Sequence, residues 1–331
     1  MTSADLTTPA DEALATITGD HGLPVPASLT RDPRKQVLFG ADPYFRQGWA
    51  DALRILGPTA AEQLRDIGLV LLKPDAIAIG HADAAIDWMA TKDAEIVLAR
   101  RGTLSPHGIR AMWQFQMNAA SIDRLELTDL ALADAPGLIL IGRLPADPVP
   151  ATVRFSAWKG PADPRKREPG DLRNALGGGN FLLSFVHAAD EPADLVRELA
   201  ILFGAVEREA VLRQLADPTS IEGPDEARRM ARAIEADLDP HDLELGTAIA
   251  ALDASTPDGP HARAFRELLD AVRSGEFTDW RALWRAADDA GVPPTRWDRA
   301  VIGTYLMQHT EPGVSQILGS AARNLWQEDV Q

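Results

Sequence analysis

The stretch FLLSFVHAADEPADLVRELAILF, residues 181–203, decides the fold of this chain. Its first part is a short, aromatic-rich apolar run, which predicts a buried strand over Phe181–Val186. Its last part repeats leucines at helical spacing and therefore predicts a helix. Asp190 or Glu191 can cap that helix, and Pro192 suits its first turn, where a missing N–H has no intrahelical partner to lose.

His187 falls between these two elements, where the predicted strand ends, and Glu198 follows on the predicted helix. A histidine placed there can be a general base, a nucleophile or a metal ligand, with the carboxylate fixing one ring nitrogen. Histidines at such positions are more often structural, with their ring N–H groups satisfied by neighbours. The residues of this stretch alone therefore favour a structural role for His187.

Composition limits the classes of function. The chain has 331 residues, of which 45% are hydrophobic, and this predicts a globular protein with a substantial core and two domains. It contains no cysteine, which excludes disulfides, thiolate metal sites and cysteine nucleophiles. The formal charge of −16 disfavours general binding to nucleic acid or to anionic membranes, since both require clustered cations.

The first residues lack the basic and apolar regions of a secretory signal. The sequence also has no apolar run of the roughly 18 residues that a membrane-spanning helix needs. We therefore expect a cytoplasmic protein with no membrane contact.

Apolar runs alternate with helical patterns through the middle of the chain. An α/β order of four strands, each followed by a helix, predicts an α+β sandwich of the ferredoxin-like kind, preceded by two short helices that break at Gly57-Pro58. The predicted strands are Ile67–Leu72, Ala94–Ala99, Gly137–Gly142 and Phe181–Val186, and the predicted helices lie at about 80–91, 105–117 and 151–158. The segment between Met117 and the third strand reads as a polar connection.

Two basic features adjoin these elements. Lys73 follows the first strand directly and Pro74 forces a turn, so its charge must reach solvent or meet an anion. The loop KGPADPRKREPGDLRNALGGGN, residues 159–180, is rich in arginine and contains three consecutive glycines. It is equally compatible with an anion-binding loop and with a solvated flexible one.

Helical patterns fill the chain beyond Gly204, and apolar stripes at i, i+3, i+4 and i+7 predict core-facing helices. This all-α module could cover a site, dimerise or bind a partner. The sequence thus divides into a flexible N-terminal segment (1–34), a helical lead-in (35–65), the sandwich domain (66–204) and a helical C-terminal domain (205–331).

Three segments resemble, in order and spacing, the signature segments of nucleoside diphosphate kinases: LLKPDAIAIG (71–80), PGDLR (169–173) and FVHAADEPADLVRELAILF (185–203). The resemblance covers residues 66–204. It implies that Lys73 and Arg173 contact nucleotide phosphates, that His187 is the histidine that becomes phosphorylated and that Glu198 orients its ring.

The resemblance extends more loosely to four further positions. Trp113 falls near the active-site tyrosine of the family, and Arg154 falls near a second phosphate-binding arginine. Ser184 stands where the family has an asparagine, and Lys159, in Lys159-Gly160-Pro161, is the nearest substitute for a threonine segment that is missing here. Other departures are Ala76 for the glycine of KPDG, Ile79 for an arginine, Ala189 for a serine and a longer loop before Pro169.

The resemblance implies a phosphotransferase that uses ATP or another NTP with Mg²⁺ and works through phospho-His187. Its acceptor would be a nucleoside diphosphate or a specialised small molecule, and the family implies a homo-oligomer. The departures leave two alternatives open. One is a catalytically silent member that binds nucleotide or a protein partner, and the other is a member recruited for different chemistry on a nucleotide-linked substrate.

Overall fold

Four strands form one antiparallel sheet in the computed structural model, which describes residues 25–276, 279–319 and 322–327. The spatial order is β2-β3-β1-β4, and every neighbouring pair is antiparallel. Their bounds are β1 (Ile67–Leu72), β2 (Glu95–Thr103), β3 (Pro136–Arg143) and β4 (Val186–Ala188). The inner strand β1 is buried along its whole length, as its unbroken apolar run requires. The predicted α+β sandwich is confirmed.

Eleven α-helices of the described chain precede Gly204. They are α1 (Pro33–Ala41), α2 (Pro43–Leu56), α3 (Ala60–Arg65), α4 (Pro74–Ala78), α5 (Ala82–Ala90), α6 (Pro106–Met112), α7 (Gln114–Met117), α8 (Ile122–Leu132), α9 (Ala151–Lys159), α10 (Leu172–Leu176) and α11 (Pro192–Leu202). Helix α9 lies directly against β1, where a Cβ on Gly68 would come within 2.2 Å of the Phe155 ring. Helix α11 packs on α2 and also contacts β1, so the element that carries Glu198 is held against the sheet.

The described chain begins inside the predicted flexible segment, whose residues 1–24 lie outside the described residues. Pro33, near the end of that segment, opens α1. Asp32 caps this helix through its side chain, and proline is well suited to the first helical position.

The predicted helix over 105–117 is broken at Trp113, whose backbone (φ −110°, ψ 27°) separates α6 from α7. The expected polar connection after Met117 is also wrong, since it contains the three-turn helix α8. Ser121 caps α8 by accepting a hydrogen bond from the backbone of Arg124. Leucines and polar residues alternate along this segment, and the alternation hides the helical period.

The predicted strand Phe181–Val186 is the main error in the sheet, because β4 is shorter and begins only at Val186. Phe185 has a positive φ of 66°, which a strand does not allow. We call the irregular segment 181–185 the hook. His187 is therefore not at the end of a strand but at the middle of one, where it pairs with Leu71 of β1.

Seven helices occupy the described chain beyond Gly204. They are α12 (Ala205–Ala216), α13 (Gly223–Glu235), α14 (Leu245–Ser255), α15 (Ala262–Ser274), α16 (Trp280–Asp289), α17 (Arg296–Leu306) and α18 (Ala322–Gln327). The predicted apolar stripes on α15 and α16 are buried. Helix α13 packs on β2 and α17 packs on α8, so the core runs continuously from the sheet into these helices.

None of the helices in the described ranges combines the length and the apolar character that crossing a membrane requires.

Candidate active site

His187 and Glu198 are brought together by β4 and α11. The two residues are eleven apart in sequence, and His187 Nε2 lies 2.8 Å from Glu198 Oε1. Glu191 and Asp194 form a capping box at the start of α11, and Pro192 occupies its first turn, as the sequence predicts. The imidazole is 14% exposed and the carboxylate 6%, so this pair is held largely away from solvent.

Trp113 contacts the other nitrogen of the same ring. Its Nε1 lies 3.3 Å from His187 Nδ1, and the two rings are perpendicular with centroids 5.4 Å apart. An indole N–H can only donate, so Nδ1 is the acceptor and carries no proton. The proton is therefore on Nε2, which donates to Glu198. The break between α6 and α7 at Trp113 places the indole in this position.

A cavity of about 140 Å³ lies beside His187. It is smaller than the clefts of roughly 300–1,000 Å³ that usually hold drug-sized ligands. Its walls combine basic, hydroxyl and apolar side chains: Lys73, Trp113, Met117, Arg124, Thr128, Leu132, Ala162, Arg173, Phe181, Leu182, Ser184, Val186 and His187. Glu198 is not part of the lining, so Nδ1 rather than Nε2 is the ring nitrogen on the cavity side.

Lys73 is buried in the cavity wall and meets an anion of the protein itself. Its Nζ lies 2.8 Å from the carbonyl oxygen of Leu182, 3.4 Å from Ser184 Oγ and 3.3 Å from Asp75 Oδ2. These three acceptors match its three N–H donors. Burial lowers the pKa of Lys73, and the nearby Asp75 carboxylate opposes that shift.

Arg173 is likewise buried and holds the backbone around the hook. Its guanidinium donates to the carbonyl oxygens of Ser184 (3.0 Å) and Gly160 (2.7 Å), and also to that of Val186. Burial, together with the neighbouring Arg167 charge, lowers the pKa of Arg173 to about 10. The arginine expected to contact phosphate is thus bound to three carbonyls of its own chain.

The remaining predicted residues divide between the cavity and the surrounding structure. Ser184 and Trp113 line the cavity, whereas Arg154 and Lys159 do not. Arg154 donates to the carbonyl of Pro145 and lies over the Trp158 ring. Lys159 donates to the carbonyl of Ala188 and pairs with Asp190 at 3.2 Å. The phosphate-binding roles of all these residues stay predictions.

The basic loop mostly binds itself. Arg167 donates to the carbonyls of Ala162 and Gly178, and the exposed Arg165 pairs with Asp163. A Cβ on Gly179 would lie 2.3 Å from the carbonyl oxygen of Leu183, so the last of the three glycines permits a close approach to the hook. The glycine thus makes room for another segment of the chain itself.

Three residues at this site were absent from the sequence prediction. Arg124 and Phe181 line the cavity, and the guanidinium carbon of Arg124 lies 5.1 Å from the Phe181 ring centroid. His309, from the segment after α17, contacts the same Phe181 ring edge-on, and the centroids of the two rings are 5.0 Å apart. Recognising α8 from its Ser121 cap is the one sequence signal that would have drawn attention to Arg124.

Comparison with curated proteins finds relatives that this chain matches only in part. It is 28% identical to thioredoxin domain-containing protein 6 of Mus musculus over 138 residues, which cover 41% of each chain. It is 27% identical to the Homo sapiens protein of that name over 169 residues, covering 49% of this chain and 50% of the human one. The matched region therefore spans half or less of the length of these relatives.

Comparison with solved structures finds nucleoside diphosphate kinases. The enzyme from Aquifex aeolicus matches 43% of this chain and 97% of its own, with 20% identity and a TM-score of 0.36. The NDP kinase from Pyrobaculum aerophilum matches the same shares, with 19% identity and a TM-score of 0.35.

The model of the nucleoside diphosphate kinase family matches residues 66–208. This range contains all four strands, the hook, His187 and Glu198, and it agrees with the predicted start of the sandwich domain. Residues 66–208 of this chain therefore form a nucleoside diphosphate kinase-like domain.

Proposed function

We propose that this protein is a phosphotransferase that carries a phosphoryl group on Nδ1 of His187. The donor is ATP or another nucleoside triphosphate, and the acceptor is a nucleoside diphosphate or a specialised small molecule. One observation carries the proposal: Glu198 holds the proton on Nε2, which leaves the lone pair of Nδ1 on the side of a cavity lined by cations.

The chemistry follows from that proton position. The Nδ1 lone pair attacks the γ-phosphorus, an N–P bond forms, and the bond from that phosphorus to the bridging oxygen breaks, leaving its electron pair on the departing nucleoside diphosphate. The imidazole gains positive charge as the bond forms, and the carboxylate of Glu198 stabilises that charge through the Nε2–H bond. In the second half, an acceptor oxygen attacks the phosphorus and the N–P bond breaks.

Lys73 and Arg173 supply positive charge to the wall where the phosphoryl oxygens would lie. Both side chains are buried, so their charges are weakly screened even while their N–H groups bind protein oxygens. In the described ranges, no group of three or more His, Cys, Asp or Glu residues is arranged to hold a metal. In this proposal Mg²⁺ enters as part of the nucleotide substrate, where it neutralises phosphate charge.

The test is incorporation of label from γ-phosphate-labelled ATP with Mg²⁺. We expect an acid-labile, base-stable label on the wild type and none on His187→Ala. The matched control is His261→Ala, which removes an exposed histidine outside the cavity and should retain the label. Absence of label from the wild type with every common NTP would sink the proposal.

A second candidate function, a silent nucleotide-binding member, is favoured by two contacts. Trp113 already donates to Nδ1, and the donors of Lys73 and Arg173 are bound to the protein's own oxygens. A thermal-shift titration separates the two functions, because a ligand that binds only the folded state raises its stability. Stabilisation by nucleotide without labelling would favour the silent binder.

A further inference from the structure

Three basic side chains besides His187 line the cavity, and two of them are already engaged. Lys73 has three acceptors for its three N–H groups, and Arg173 binds three backbone carbonyls. An incoming anion can interact with these two charges only at long range or by displacing bonds that hold the hook.

Arg124 differs from both. Its guanidinium makes no hydrogen bond or ion pair with any residue in the described ranges, and its guanidinium carbon lies over the face of the Phe181 ring. Burial lowers the pKa of Arg124. A desolvated cation without an anion is unfavourable, so an anion that reaches it recovers electrostatic energy. The five N–H donors of an arginine also match the oxygens of a phosphate in a bidentate arrangement.

The position of Arg124 directs it to the cavity. It lies in the first turn of α8, one turn before Thr128, so the two share a helix face, and both line the cavity with His187. The volume of about 140 Å³ suits a phosphate-sized group and leaves the bulk of a nucleotide outside.

Residues after Gly204 contact the part of the cavity wall that Arg124 and Phe181 form. Asn180, beside the hook, donates to Thr304 Oγ1 of α17 at 2.8 Å, and Ser121, the cap of α8, donates to the carbonyl of Gln308. His309 packs on Phe181, and its Nδ1 is buried without a hydrogen-bond partner in the described chain. The residues that fix Arg124 and Phe181 thus come partly from outside the family domain.

We propose that Arg124 captures a phosphate group of the nucleotide ligand in this cavity, through hydrogen bonds from its guanidinium. Phe181 and the segment around His309 hold the guanidinium in place. The inference rests on the proposed function for the chemical class of the anion, whereas the choice of Arg124 rests on its unpaired position.

The test is calorimetric titration of the full chain with ADP and with inorganic pyrophosphate, neither of which can donate a γ-phosphate. We expect Arg124→Gln to weaken both affinities about ten-fold or more, because charged hydrogen bonds are among the stronger ones. The affinities of Arg124→Lys should lie between those of this variant and the wild type, since lysine keeps the charge but loses the bidentate donor geometry of the guanidinium. The matched control, Arg263→Gln, removes an exposed arginine far from the cavity lining and should leave both affinities unchanged.

Thermal unfolding verifies that each variant folds. If Arg124→Gln does not fold, the affinities of Arg124→Lys decide the test. Failure of the wild type to bind either probe, or equal affinity in wild type and a folded Arg124 variant, overturns the inference. The outcomes separate it from phosphoryl transfer. Binding that depends on Arg124 without a label on His187 sinks the proposed reaction alone, and a label with binding indifferent to Arg124 sinks this inference alone.

Discussion

The indole N–H of Trp113 lies 3.3 Å from Nδ1 of His187, so the nitrogen proposed to carry the phosphoryl group already accepts a hydrogen bond. That bond fixes the tautomer, because it requires a bare Nδ1 and leaves the proton on Nε2 for Glu198. It also competes with a phosphorus electrophile for the same lone pair. Trp113 therefore both prepares the nucleophile and restrains it.

Trp113→Phe tests which effect is larger. Phenylalanine keeps an aromatic ring near His187 but removes the N–H, so we expect faster phosphorylation of His187 in a single turnover, by about 2- to 10-fold for the loss of one neutral hydrogen bond. Trp158→Phe is the control, since Trp158 lies outside the cavity lining. A rate that falls toward that of His187→Ala would instead mean that Trp113 is needed to position the ring.

Glu198→Ala tests the other side of the imidazole. Without the carboxylate, the Nε2 proton loses its partner and the developing positive charge is unsupported. We expect the labelling rate to drop roughly 10- to 100-fold, by analogy with carboxylates that orient metal-ligating histidines. Glu198→Gln should lose less, because its amide oxygen can still accept from Nε2–H. Equal rates in the wild type and both variants would show that Glu198 has no part in the reaction.

The sequence predicted β1 and α11 well because each is specified locally. An unbroken apolar run defines β1, and a capping box followed by leucines at helical spacing defines α11. The meeting of His187 with Glu198 follows from these two elements once β4 is placed beside β1. The sequence therefore indicated this pair through the family resemblance, whereas the position of β4 became known only from the structure.

The hook could not be predicted from the sequence, because its hydrogen bonds are made with side chains that lie outside it in the sequence. The N–H of Phe185 donates to Asp75, and the carbonyls of Leu182 and Ser184 accept from Lys73 and Arg173. No periodicity within 181–185 encodes such bonds, and an apolar run of that length is ordinarily a strand. The same interactions explain why two expected ligand-binding cations are engaged by the protein.

Arg173→Met tests that structural role. The substitution leaves the buried carbonyls of Gly160 and Val186 without their side-chain donor, whereas that of Ser184 still accepts from the N–H of Val186. Each buried unsatisfied group costs about 1–3 kcal/mol. We expect the free energy of unfolding in urea to fall by about 2–6 kcal/mol, the sum for two buried carbonyls that lose their donor.

Arg165→Met is the matched control for this measurement. Arg165 is exposed and, among the described residues, pairs with Asp163 of the same loop, so its loss should leave the free energy of unfolding nearly unchanged. A similarly small change for Arg173→Met would mean that the hook does not depend on the guanidinium, and that Arg173 is available to a ligand.

The last prediction concerns a cluster of carboxylates at the start of α11. Asp190, Glu191 and Asp194 share Lys35 and Lys159 as counterions. Burial raises the pKa of Asp194 to about 6, with the neighbouring carboxylates adding to the shift and Lys35 opposing it. The same lysines hold the pKa values of Asp190 and Glu191 below their usual range. Asp194 is thus the carboxylate of this cluster that takes up a proton first as the pH falls.

The sign of the pH effect follows from that elevated pKa. Between the usual carboxyl pKa of about 3.9 and the folded value, the folded chain binds more protons at Asp194 than the unfolded chain, so its contribution to stability declines as the pH rises from about 4 through 6. Asp194→Asn removes this term while its amide oxygen can still accept from the Glu191 N–H. Relative to the wild type, the variant should therefore gain stability, on the order of 2 kcal/mol, between pH 4.5 and pH 7.5. Urea unfolding at the two pH values measures the difference, and a variant whose relative stability is the same at both would show that Asp194 titrates normally in the folded state.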